Sequence, residues 1–404
     1  MKTLPVRRRK HLKFLTILMV LGIPVALLSI NSFLISDRTR ARSGSASPTP
    51  PSGRFADNRS AVPAAASKES RTVPPDTPEP DVRLREALTA LRVEGLGPEQ
   101  ARKTLADLRA YLGSLPTSVA AEAMATFLAT RSLDAATGLG FGIGENGFLK
   151  DHPSLRVALL DWLGQIDLPT AGIVARQILA APTVADEWCV SLRNYARATP
   201  TSDSFDFLRG KTEELIRNPA WKKSPSVGYF EAFDVLVYTK STQSTDLLGG
   251  LVSDRTPEGR PYAHASYLTL DRLVLEEPAE MFRQFTSHPD LIEARGQMIG
   301  NLFARADLRD DEQRGLVRSY LLDPSRSEQE LEAFAGIYPN ANFSVSQNLL
   351  TGNKPPAQTG LAARDRAALQ VIDGWLADPA FKPILPHLQT MHRRLVTFVG
   401  QTAK

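Results

Sequence analysis

Leu155–Ile166 reads LRVALLDWLGQI, and this stretch decides the fold class. It follows His152-Pro153-Ser154, which is typical of a helix start because proline is tolerated in the first helical turn. Its apolar residues recur at spacings of three and four, the period of an α-helix. The stretch therefore predicts an amphipathic helix with Trp162 on its apolar face.

A second stretch matches the first. Residues 288–291 (His-Pro-Asp-Leu) lead to an alanine, a glycine and apolar residues at the offsets seen after residues 152–155. A shorter pair begins at Asn218-Pro219 and Asp378-Pro379. The two pairs differ in spacing, so the pattern indicates either a degenerate repeat or amphipathic helices that merely begin alike.

Leu155–Ile166 resembles the second helix of a HEAT-type repeat, in which an apolar residue and an arginine precede Ala-x-x-x-Leu-Gly-x-apolar. Here Ala158 comes one place early, and the stretch after His288 is a poorer copy that lacks the arginine. The resemblance implies an α-solenoid, a stack of helix pairs whose concave face binds proteins. It implies no catalytic residue.

Similar apolar stripes, helix starts and helix ends continue through residues 82–404. We expect an all-α fold, a solenoid-like superhelix of about fifteen helices with no sheet. Val184, Trp188, Leu192 and Tyr195 form one expected stripe. The sequence Ser327-Glu328-Gln329-Glu330 predicts a capping box, in which the hydroxyl and the carboxylate each accept a backbone N–H.

The N-terminus predicts a membrane anchor. Residues 1–13 contain six Lys or Arg and no acid, and an apolar run follows over residues 14–35. At about 1.5 Å per residue, this run is long enough to cross a hydrocarbon core of about 30 Å. Fewer basic residues follow the run, which favours a cytoplasmic N-terminus and a periplasmic or extracellular main domain.

The N-terminus permits two other interpretations. A cleaved secretory signal has a shorter apolar core and a small-x-small cleavage site, and no Ala-x-Ala follows this run. A twin-arginine export signal is faintly matched at Arg8-Arg9, but His11 stands where that motif prefers phenylalanine. A retained anchor is therefore favoured.

Residues 36–81 are rich in proline, serine and alanine and contain almost no large apolar side chain. Such a segment cannot bury enough apolar surface to offset the entropy of ordering it. It predicts a disordered linker between the anchor and the folded domain.

Composition limits the classes of function. The pI of about 9.1 comes from the basic tail, because residues 1–35 carry a charge of +6 and the whole chain +4. The remainder is slightly acidic, so no nucleic-acid partner is expected. Cys189 is the only cysteine, and without disulfides a bacterial envelope fits better than a eukaryotic secretory compartment.

Residues 138–147 contain five glycines, and residues 142–147 spell GxGxxG. A dinucleotide site needs a strand before this motif and a helix directly after it, and the sequence predicts neither. We expect a loop that either packs over the core or binds a partner. In the second case Phe141, Ile143, Phe148 and His152 would line the binding surface.

Other candidate chemistry is weak. Cys189 lacks a nearby histidine and lies beside Trp188 on an apolar stripe, which favours a buried thiol. There is no HExxH and no G-x-S-x-G motif. We therefore expect no catalytic residue, no metal and no cofactor.

Three functions remain open. The leading hypothesis is a non-catalytic, membrane-anchored helical-repeat protein that binds a protein partner or an envelope component outside the cytoplasm. An anchored enzyme similar to Golgi-type transferases shares the plan of tail, span and stem, but such enzymes commonly carry Asp-x-Asp, which is missing here. A scaffold with reversed topology, facing the cytoplasm, is the third.

Overall fold

The apolar stripes of the sequence form a continuous array of helices in a computed structural model. The structure describes residues 79–342, 347–352 and 358–402, which belong to one compact unit. The predicted tail, span and most of the linker, residues 1–78, lie outside the described residues. Among the described residues, no helix is long and apolar enough to cross a membrane.

The described part of the chain contains eighteen α-helices, three of them only five residues long. In chain order they are α1 Pro80–Leu91, α2 Pro98–Ser114, α3 Thr117–Ala129, α4 Leu155–Ile166, α5 Leu168–Ile178, α6 Ala185–Ala198, α7 Ser202–Arg217, α8 Pro219–Lys223, α9 Val227–Glu231, α10 Asp234–Tyr238, α11 Thr245–Ser253, α12 Arg260–Glu276, α13 Pro278–Ser287, α14 Pro289–Phe303, α15 Asp311–Leu322, α16 Glu328–Ile337, α17 Gln358–Ala377 and α18 Leu385–Thr402. Helix α1 takes in the last two residues of the predicted linker.

The expectation of no sheet is wrong. The glycine-rich segment forms a small antiparallel hairpin, with β1 at Gly142–Ile143 and β2 at Leu149–Asp151, joined by a 3₁₀ turn at Glu145–Gly147. An isolated bridge pairs Ala136 with Ser154. The hairpin forms because main-chain groups of this segment find partners on distant helices, as described below.

Each helix packs mainly on helices that lie within three positions of it along the chain. Helix α4 contacts α3, α5 and α6; further along, α14 packs on α11, α13 and α16, and α16 packs on α18, which also pairs with α17. An array of this kind has a core that extends from one end to the other. The all-α prediction is thus confirmed.

Aromatic side chains mark the core of the second half of the array. Phe282 on α13 stacks on Phe303 of α14 at 4.6 Å between ring centroids, and Phe303 stacks on Tyr320 of α15 at 4.0 Å. Phe334 of α16 stacks in turn on Tyr338 at 5.3 Å. A tilted contact between Tyr320 and Phe334, at 5.9 Å between ring centroids, completes the series, so these rings join four successive helices.

Two local predictions are corrected in part. In the predicted stripe on α6, Trp188, Leu192 and Tyr195 are buried, but Val184 lies at the N-cap and is exposed. At α16 the Ser327 hydroxyl accepts the N–H of Glu330, as the capping box requires. The Glu330 carboxylate instead accepts a 2.6 Å hydrogen bond from the Tyr320 hydroxyl, because it is buried beside that ring.

Candidate functional site

The four residues proposed from the sequence lie in or beside the hairpin. Phe141 is buried, and its ring lies against Gly228 at the start of α9. A β-carbon added at Gly228 would lie 3.0 Å from that ring. Ile143 and Phe148 are partly buried. His152 is buried against Trp162, with the two rings edge to face. The structure therefore brings the four together, but packs Phe141 and His152 inside the fold.

Asp161 on α4 binds the main chain of the hairpin. Its carboxylate accepts the N–H of Leu149 at 3.1 Å and lies 3.3 Å from His152 Nε2. It also accepts from Gln165 at 2.8 Å and from Arg193 Nη1 at 2.6 Å. Burial raises the pKa of Asp161, but the hydrogen bond from His152 and the charge of Arg193 outweigh it, so the pKa lies below its ordinary value.

Two arginines of α6 hold the turn of the hairpin. Arg193 donates to the Gly147 carbonyl at 2.8 Å, and Arg197 donates to the Asn146 carbonyl. Both guanidinium groups lie over the Phe148 ring, at 4.8 and 4.4 Å from its centroid. Burial and the neighbouring charge of Arg193 lower the pKa of Arg197 to about 10. The hairpin is thus fixed by charged side chains.

A second irregular segment lies against the hairpin. We call residues 347–352 the strap. Gly147 has a φ of +72°, and a β-carbon there would overlap the carbonyl oxygen of Leu349. This close approach explains the need for glycine at the turn, since the position requires both a left-handed conformation and the absence of a side chain. The hairpin and the strap therefore pack directly against each other.

The strap is bound through its main chain by two acids. Glu231, at the end of α9, accepts the N–H of Asn348 at 3.0 Å. Asp234, at the start of α10, accepts the N–H groups of Leu350 at 2.6 Å and Thr351 at 2.9 Å. The Thr351 hydroxyl donates to the same carboxylate at 2.5 Å.

A basic residue of α12 completes the binding of the strap. Arg272 donates to the Gln347 carbonyl at 2.8 Å, and its guanidinium lies 2.7 Å from the Asp234 carboxylate. Thr269, one turn earlier, donates to the Gln347 side chain at 3.2 Å. Leu349 is fully buried. We call Glu231, Asp234, Thr269 and Arg272 the acceptor groove, because together they receive the strap.

Burial shifts the pKa of Glu231 in the groove. Burial raises the pKa of Glu231 to about 7; the nearby Asp234 also raises it, while the Asn348 N–H and Arg272 lower it. Asp234, by contrast, is paired with Arg272 at short range. The protonation of Glu231 therefore changes near neutral pH.

Buried ion pairs recur along the array, and the groove contains one of them. Asp161 of α4 pairs with Arg193 of α6, and Asp234 of α10 pairs with Arg272 of α12. Asp271 of α12 pairs with Arg305, which follows α14, at 2.6 Å. Each pair joins a helix to a later part of the array. The first pair also binds the hairpin and the second binds the strap.

Little reaction chemistry is visible in the described residues. Among them, no group of three or more His, Cys, Asp or Glu side chains is arranged to hold a metal ion. Cys189 is buried, as expected, and burial raises the pKa of its thiol well above the ordinary value, which disfavours a thiolate. The arrangement is suited to holding peptide backbone.

The sequence indicated the hairpin as a site, but it did not indicate the strap or the acceptor groove. One signal was available. Asp161 stands alone among apolar residues of α4, and Asp234 lies directly between Phe233 and Val235. A lone acid on an apolar face needs a buried partner, so such positions mark polar contacts between elements.

Comparisons with family models, with curated proteins and with solved structures find no match for this chain.

Proposed function

We propose that this chain is a membrane-anchored, non-catalytic helical-repeat protein whose folded domain, an α-solenoid similar to HEAT arrays, binds a protein partner outside the cytoplasm. One observation carries the proposal. The array binds two irregular segments, the hairpin and the strap, through buried acids and arginines that contact mainly main-chain groups. A fold that already holds peptide backbone in this way is suited to a protein ligand.

The resemblance to HEAT repeats gains support from Arg156, the arginine of the matched pattern. Its guanidinium donates to Glu187 of α6 at 2.8 Å and to the Thr130 carbonyl at the end of α3 at 3.1 Å. Both Arg156 and Glu187 are buried. An arginine that connects its own helix to an earlier helix and to a later one is typical of a stacked array of helices.

Partner binding is tested by site-specific photocrosslinking of the full chain in its own membranes. A photoreactive residue replaces Ile143 in the hairpin, and a control replaces Ile173, which is exposed on α5. We expect a discrete protein adduct from position 143 and none from position 173. Identical adducts at both positions, or none at either, would contradict the proposal.

The anchor and its orientation are tested separately. We expect the full chain to stay with membranes through a carbonate wash, because residues 14–35 are long enough to span. Protease added outside spheroplasts should cut within residues 36–81 and release the folded domain. A soluble form that begins near Asp37 would indicate a cleaved signal, and full protection from the protease would indicate the reversed topology.

A further inference from the structure

The loop that contains the strap is longer than its connection requires. Residues 338–357 separate α16 from α17, whereas neighbouring helices in bundles are usually joined by about 2–8 residues. Before the strap, Asn340 binds the carbonyl of Ala304 at 2.8 Å and Arg305 binds the carbonyl of Asn342 at 2.6 Å. The described parts of the loop thus contact the residues directly after α14 and then α12 and α10, and the last two helices lie far from α16 in the sequence.

The strap is held like a bound peptide. Its contacts with the acceptor groove use the N–H groups of Asn348, Leu350 and Thr351. Two of its side chains add specificity, since Leu349 is fully buried and the Thr351 hydroxyl donates to Asp234. A ligand for this groove therefore needs a leucine followed, after one residue, by a hydroxyl residue.

We propose that the acceptor groove is a binding site for a partner peptide of the form Leu-x-Thr or Leu-x-Ser, and that the strap occupies it as an intramolecular competitor. This inference rests on the proposed function, because it assumes that the partner is a protein. The partner segment replaces the strap, donates two consecutive N–H groups and its hydroxyl to Asp234, and places its leucine where Leu349 lies. Partner binding then requires release of the strap.

The effective concentration of the strap sets how strongly it competes with a free peptide. A tethered segment acts at an effective concentration of about 1 mM, so a free peptide of equal intrinsic affinity binds the intact chain only weakly. Weakening the strap without altering the groove should therefore increase the affinity for the free peptide. Thr351→Ala does this most simply, because it removes a hydroxyl and leaves the groove residues unchanged.

The test uses the full chain in detergent and a fluorescent peptide with the sequence of residues 347–352, Gln-Asn-Leu-Leu-Thr-Gly. A stronger variant replaces residues 347–351 by Gly-Ser-Gly-Ser-Gly. We expect saturable binding to this variant and at least tenfold weaker binding to the wild type, with T351A between them. Asp234→Asn in the Gly-Ser background should weaken binding at least fivefold, and a peptide with its leucines replaced by serine should not bind. Absence of saturable binding to a folded Gly-Ser variant would overturn the proposal.

A second measurement applies if the Gly-Ser variant does not fold. Amide hydrogen exchange in the wild type compares the N–H groups of Leu350 and Thr351 with those in the middle of α12. A strap that can be displaced should exchange at least tenfold faster than α12, through local opening. Equal protection would show that the groove opens only on global unfolding, and the proposal would fail.

The results separate this inference from the proposed function. An adduct at position 143 that is unaffected by T351A would support a protein partner but not the groove. Peptide binding to the Gly-Ser variant without any adduct at position 143 would support the groove but not the hairpin surface.

Discussion

The Asp161 carboxylate lies 2.6 Å from the guanidinium of Arg193, and neither side chain is exposed to solvent. The pair joins α4 to α6, and each partner also binds the hairpin, Asp161 through the N–H of Leu149 and Arg193 through the carbonyl of Gly147. Stability of the array and placement of the glycine-rich segment therefore depend on the same two side chains.

Asp161→Asn should destabilise the protein by about 3–5 kcal/mol, because it leaves the buried Arg193 without its counter-charge. The amide can still accept from Leu149, so the loss comes mainly from the charge. Chemical denaturation followed by circular dichroism measures it. Asp206→Asn is the control, since the Asp206–Arg209 pair on α7 is largely exposed, and it should cost less than about 1 kcal/mol. Equal effects of the two substitutions would contradict a structural role for the buried pair.

Gly147→Ala should destabilise the contact between the hairpin and the strap. The new β-carbon would overlap the Leu349 carbonyl, and the residue would keep a positive φ. We expect a loss of about 2 kcal/mol or more and faster hydrogen exchange at Leu350. Gly140→Ala is the matched control, because that β-carbon meets open space. Its stability should stay within about 1 kcal/mol of the wild type.

Glu231 should make stability depend on pH. Its pKa is about 7 in the folded protein, against an ordinary value of 4.5, mainly because of burial. The folded state therefore keeps a proton that the unfolded chain releases in this window, so stability falls as the pH rises from about 4.5 to 7. Asp234 opposes ionisation of Glu231, Arg272 favours it, and the neutral thiol of Cys189 lies nearby.

Glu231→Gln should remove this dependence. The neutral amide can still accept the N–H of Asn348, so the variant should match the wild type near pH 4 and exceed its stability by about 3 kcal/mol at pH 8. Urea denaturation at several pH values measures the difference. Glu332→Gln, at an exposed position of α16, should leave the wild-type pH profile unchanged. A variant less stable than the wild type at pH 8 would show that the charged form is favoured.

The sequence allowed the helices to be predicted because their apolar stripes lie in the local order of residues. Leu84, Leu88 and Leu91, for example, recur with a helical period and are buried on one face of α1. The capping residue Ser327 was also evident from its neighbours, and its hydroxyl accepts the N–H of Glu330 as expected. Elements specified by neighbouring residues could thus be predicted.

The hairpin and the acceptor groove could not be predicted in the same way. The N–H groups of Leu350 and Thr351 bind Asp234, which lies 116 and 117 positions earlier in the chain. The register of the hairpin depends on Asp161 and Arg193, which belong to two different helices. Contacts of this kind leave no periodic pattern, and only the lone acids within apolar helices indicate them.

Trp162→Ala should cost about 3–5 kcal/mol, because Trp162 is buried on α4 and its removal leaves a large cavity. Arg109 lies over its indole ring, so contacts with two neighbours, His152 and Arg109, are lost. Trp162→Phe should cost less than half as much, since the ring is kept and the indole Nε1, buried without a hydrogen-bond partner, is removed. Thermal unfolding compares the two. A loss below about 1 kcal/mol for the alanine variant would place Trp162 outside the packed face.

Two apolar residues of the hairpin segment, Phe141 and Ile143, differ in their surroundings. Phe141 is buried against Gly228, so Phe141→Ala should lower the free energy of unfolding by about 3 kcal/mol, and any loss of partner binding would follow from misfolding. Ile143 is only partly buried. Ile143→Ala should therefore cost about 1 kcal/mol or less, and if the hairpin binds the partner, it should reduce the yield of a crosslinked adduct severalfold.

The crosslinker for this comparison is placed at Glu145, which is exposed in the same turn, so that Ile143 itself can be varied. Melting temperature and adduct yield are measured on the same preparations. If Ile143→Ala leaves the adduct unchanged while Phe141→Ala lowers both quantities together, the hairpin packs over the helices and the partner binds elsewhere. A loss of adduct from Ile143→Ala at an unchanged melting temperature would instead support a direct contact, because the only group removed is a partly exposed side chain at the edge of the array.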